Sequence, residues 1–109
     1  MFAIKDEDLE PLIARELASS KVQHEEKFKN SDEAREIVGN EMEEVSSELD
    51  YIDNLYAFAE YQDANTAIDY EVDKAIEHSM LLVKEAIQVA AMCRKWKESG
   101  VSRSNKYGN

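Results

Sequence analysis

Glu41, Glu44 and Glu48 fall at intervals of three and four, and a later stretch places His78, Glu85 and Gln88 at helical spacing. Residues so spaced stack along one helix face. Bare carboxylates that converge repel one another, but together with a side-chain amide they offer the hard oxygen ligands that suit Mg²⁺, or Mn²⁺ in its place. Such an ion neutralises phosphate charge and orients water for in-line attack. Spacing alone does not select this set, because Glu7 with Glu10 and Glu33 with Glu36 share the same interval. Its distinction is its place beside an apolar seam, where polar groups need partners.

That seam is Val38, Met42, Val45, Leu49, Ile52, Tyr56 and Ala59, stepping by four and three as one side of a long helix does. A third segment repeats the spacing through Ile68, Val72, Ala75, Ser79, Leu82, Ala86, Val89, Cys93 and Trp96. A parallel row runs beside it at Ile76, Met80, Val83, Ile87 and Ala90. An antiparallel hairpin of the two, with its turn centred near Ala64 in the polar stretch 62–66, sets Glu44 level with Lys84 and Glu41 level with Ile87. Glu85 and Gln88 then come within about one turn of both glutamates. A first, shorter helix is expected from Asp8 or Glu10, with Pro11 in its opening turn, through Leu12, Ile13, Leu17 and Val22 toward Phe28. Asn30 or Ser31 caps the second helix, with Glu33 at the third helical position.

The chain has 109 residues, three glycines and one proline, and is rich in helix-forming types. The expected fold is all-α: an antiparallel helical bundle of two long helices and a shorter N-terminal one, forming a single domain over 1–98 with a flexible tail at 99–109 that carries Arg103 and Lys106. Two apolar rows on the third helix require cover on two sides, so a second copy is the expected partner, in a homodimer or homotetramer. Twenty-four acidic and thirteen basic side chains give a net charge of −11, which repels nucleic acid and anionic membranes. Residues 1–8 read as neither leader nor anchor, and the lone Cys93, set in an apolar run, reads as a buried small hydrophobe in a reducing compartment. A cytoplasmic location follows as the expectation. His24 and His78 lack metal-site spacing to a second His or Cys, and the aromatic residues read as packing groups.

Two segments resemble a known family. Residues 28–49, FKNSDEAREIVGNEMEEVSSEL, are similar to the part of small phage-type MazG-like proteins that reads F-N-S-x-H-E, then an apolar stretch, then E-E-x-x-E. Residues 85–92, EAIQVAAM, are similar to the family's E-A-I-Q-V-A-A-M and precede Arg94, Lys95 and Trp96, where a basic and aromatic ending is common. The resemblance implies an all-α nucleoside triphosphate pyrophosphatase that binds Mg²⁺ through E-x-x-E on one helix and E-x-x-D on a later one, cleaving a nucleotide to its monophosphate and pyrophosphate. Carried over, Glu41 and Glu44 match the first pair and Glu85 opens the second. Gln88, a neutral and weaker ligand, stands where the family has Asp. Asn40 replaces a usual Glu, and Asp32 a common His. The implied metal set is Glu41, Glu44, Glu85 and Gln88, with Glu41, Glu44 and Glu48 as the catalytic carboxylates and Glu48 either a spare ligand or the base that orients water. The competing expectation is a non-catalytic helical module that binds another protein through its acidic surface or open seam.

Overall fold

Three acidic residues, Asp6, Glu7 and Asp8, favour a helix start by complementing its positive end. In the computed structural model, which describes residues 2–62 and 68–101, helix α1 accordingly spans Asp6–Gln23. The Lys5 backbone N–H donates to Asp8 Oδ2 at 2.9 Å and secures the first turn. The start lies earlier than Asp8, so Pro11 falls in the second turn, where its missing N–H costs only a solvent-facing bond to the Glu7 carbonyl. The end lies earlier than Phe28. His24 is extended and closes the helix through its N–H to Ser20 O.

Helix α2 spans Ser31–Glu60, capped as the sequence indicates: Asn30 Oδ1 accepts from the Glu33 N–H at 2.8 Å. The Glu33 carboxylate reaches back one residue further than expected and takes the Lys29 N–H at 3.1 Å. Helix α3 spans Asp69–Ser99 and stops at Gly100, whose φ of 71° needs a residue without a Cβ. The expected turn centre at Ala64, the caps at Asn65 or Thr66, and residues 102–109 of the tail lie outside the described residues.

The architecture is all-helical, with α2 and α3 paired as an extensive hairpin and α1 laid on α3. Leu17, Phe28, Ala34, Val38, Ala91 and Met92 form the core, with Ile13, Ile37 and Trp96 packed against it. This core occupies one end, where α1, the start of α2 and the end of α3 meet. Phe28 leaves the bent 24–30 connection to enter it, its N–H donating to Ser99 Oγ at 2.9 Å. Beyond the reach of α1, much of the seam is open: Met42, Leu49 and Tyr56 are each more than half exposed. Cys93 is exposed as well, contrary to its expected burial, because α3 turns Met92, Lys95 and Trp96 toward α1 and leaves Cys93 on the uncovered side. Among the described residues, no helix is long and apolar enough to cross a membrane.

Candidate metal centre

The spacing that stacks Glu41, Glu44 and Glu48 on α2, and the hairpin pairing that brings α3 level with them, produce the site. Carboxylate oxygens of Glu41, Glu44 and Glu85 all lie within 4.8 Å of one another. Glu44 is exposed, while Glu41 and Glu85 are half-buried between the helices. Glu41 Oε2 is buried without a hydrogen-bond partner, an expensive state for a carboxylate oxygen.

The electrostatics follow from this crowding. Glu85 is pushed up to about 7, first by sharing a proton with the Glu44 carboxylate, then by burial, and then by the charges of Glu44, Glu41 and Glu48. Glu41 is also raised, chiefly by burial and then by Glu44. The crowding thus favours a proton held between Glu85 and Glu44.

The remaining sequence candidates are engaged with other side chains. Glu48 turns to His78, with Oε2 and Nδ1 2.6 Å apart. With Glu48 ionised, Nδ1 is the donor. The His78 ring stacks on Tyr51, centroids 4.0 Å apart, which fixes its plane and so the direction of the bond. Gln88 Nε2 donates to Glu16 Oε2 at 3.1 Å. That bond turns Gln88 toward α1.

Sequence reasoning missed Glu16, the pairing of His78 with Glu48, and Lys95 as a buried cation. Glu16 lies on α1, whose loose apolar pattern gives no clear facing. His78 carried a usable signal, standing seven residues before Glu85 and so on the same stripe of α3. Lys95 stands seven after Gln88, and the same argument finds it.

A cavity of about 550 Å³ opens beside the trio, lined by residues of α1, the 24–29 connection, α2 and α3, among them Glu41, Gln88 and Lys95. A second, apolar groove of about 520 Å³ runs along the far part of the hairpin between Ile52, Leu55, Ala75, Ile76 and Val83. Comparison with protein-family models, with curated proteins and with solved structures finds no match for the chain.

Proposed function

We propose that this chain is a divergent magnesium-dependent nucleoside triphosphate pyrophosphohydrolase of the phage MazG-like type, acting in the cytoplasm as an assembly of identical chains. The observation that carries the reading is the convergence of Glu41, Glu44 and Glu85 from two different helices, with one Glu41 oxygen left buried and unpaired. The donor chemistry fits Mg²⁺ or Mn²⁺: all-oxygen, anionic and arranged around one point. Such an ion supplies charge neutralisation at the phosphates and a lowered pKa for bound water.

The protein groups do the rest. Glu41, Glu44 and Glu85 hold the charge, Gln88 adds a neutral oxygen, and Glu48, aligned by His78, receives the proton of the attacking water. The water oxygen bonds to the α-phosphorus as the bond from that phosphorus to the bridging oxygen breaks, releasing the nucleoside monophosphate and pyrophosphate.

The groove between Ile52 and Val83 favours a second copy as cover, since one 18-residue helix cannot cover both ends of a hairpin whose helices have 30 and 31 residues. The same groove supports the alternative, a helical module that captures another protein without turnover.

The deciding assay is pyrophosphate release from a panel of canonical and modified nucleoside triphosphates with Mg²⁺ or Mn²⁺. The expected result is metal-dependent turnover by the wild type, lowered at least 100-fold, roughly the weight of a lost electrostatic contact in a transition state, in Glu44→Gln. A folded wild type that turns over no nucleotide with either metal, and gains no thermal stability from any of them, would leave the interaction module as the better account.

A further inference from the structure

Along α3, Val72, Ile76, Met80 and Val83 are each about half exposed or more, and along α2 so are Met42, Leu49 and Tyr56. Helical spacing puts each set on one stripe, so the hairpin turns a two-helix apolar face outward, with the groove of about 520 Å³ between its helices. From Met42 to Ala59 the face is about 25 Å long and, for two helices, about 20 Å wide, on the order of 500 Å². Two such faces reach about 1,000 Å² together, the size at which a specific interface holds.

The apolar steps of both helices are symmetric about one level. On α3, a point midway between Glu77 and His78 relates Ile76 to Ser79 and Val72 to Val83. On α2, a point midway between Asp50 and Tyr51 relates Leu49 to Ile52 and Val45 to Tyr56. The hairpin sets these two points side by side, because Glu48 meets His78 and Glu44 meets Glu85. One two-fold axis across the face passes through both and lays each helix antiparallel on its own copy, seam position against seam position.

Charge selects the same level. Lys84, Asp69 and Asp73 are exposed and make no ion pair among the described residues, whereas Lys74 and Arg94 of the same helix each have one. All three lie on the flank of the α3 stripe away from α2, and the axis sets that flank against its own copy. Lys84 then stands level with position 71 of the other chain, with the partner's Asp69 and the partner's Asp73 each about 3 Å along the helix from that level. The net charge of −11 on each copy opposes loose association, so the apolar face supplies the attraction and these pairs supply the register.

We infer that a second copy seats on this face antiparallel, α3 on α3 and α2 on α2, with Lys84 of each chain held between the partner's Asp69 and the partner's Asp73. The pairing rests on the second copy proposed above as cover for the groove, and adds its orientation, its register and the ion pairs that select them.

Full-length chains carrying Cys93→Ser with either Ile76→Cys or Ser79→Cys, mixed and oxidised, should form a disulfide-linked dimer that neither forms to the same extent alone. In sedimentation velocity Lys84→Glu should weaken the dimer at least tenfold, because the axis makes the contact twice. Adding Asp69→Lys and Asp73→Lys to the same chain should restore it. A dimer whose thiols at 76 and 79 do not join, whose affinity ignores Lys84→Glu, or which the charge exchange does not restore, would overturn this pairing and leave a second copy on the groove. A wild type that is monomeric throughout the micromolar range would remove both.

Discussion

Glu85 concentrates the electrostatics of the site because Glu44, burial, Glu41 and Glu48 together raise its pKa. Its folded pKa of about 7, against an ordinary 4.5, means that the folded chain holds this proton more tightly than the unfolded chain. The stabilisation tied to it is therefore complete below about pH 4.5 and is lost as the pH rises to about 7. Glu41, raised by burial, acts in the same direction. Metal-free wild type should lose melting temperature relative to Glu85→Gln across that window, and Mg²⁺ should recover the loss at the alkaline end. Parallel curves for the two proteins would contradict the shared-proton arrangement. These residues were legible in the sequence because intervals of three and four fix a helix face, and because hairpin geometry fixes which levels meet. Glu16 was not legible, since nothing in the loose pattern of α1 says which side faces α3. The partner of His78 was missed because one histidine on a polar helix ordinarily faces water.

At the level of the elements, the existence and order of the helices followed from apolar periodicity and from the Asn30 cap, both local properties. The ends of α1 did not. Its start is set by Asp6, Glu7 and Asp8, and its end by His24, after which the connection carries Phe28 into the core. The two apolar rows of α3 were legible too, but what covers them depends on groups outside the helix. Ile76, Met80 and Val83 stay more than half exposed along the groove, while Ala91 and Met92, under α1, are buried. A second copy seated on the groove predicts that Ile76→Glu converts a dimer into a folded monomer in sedimentation velocity. The desolvation cost of a carboxylate at such an interface is several kcal/mol. A wild type that sediments as a monomer throughout the micromolar range would remove the second copy from the account.

The whole molecule is elongated, 64 Å along its longest axis with a radius of gyration of 18.2 Å, where a compact domain of this length has about 13 Å. The hydrophobic core lies at one end, the apolar groove toward the other, and the carboxylate trio between them. That distribution lets α1 and its connection form a cavity against the site while the hairpin remains available to a partner. The trio sits within α2 and α3 and away from their ends, so regular helical backbone positions all three carboxylates. The measurement closest to the central claim is the uptake of Mn²⁺ at neutral pH, followed by electron paramagnetic resonance in wild type and in Glu85→Gln. The account predicts saturable uptake of about one ion per chain, displaced by Mg²⁺ and weakened at least tenfold by the substitution, roughly one carboxylate ligand's worth. Absence of saturable uptake, or equal uptake by the two proteins, would contradict it.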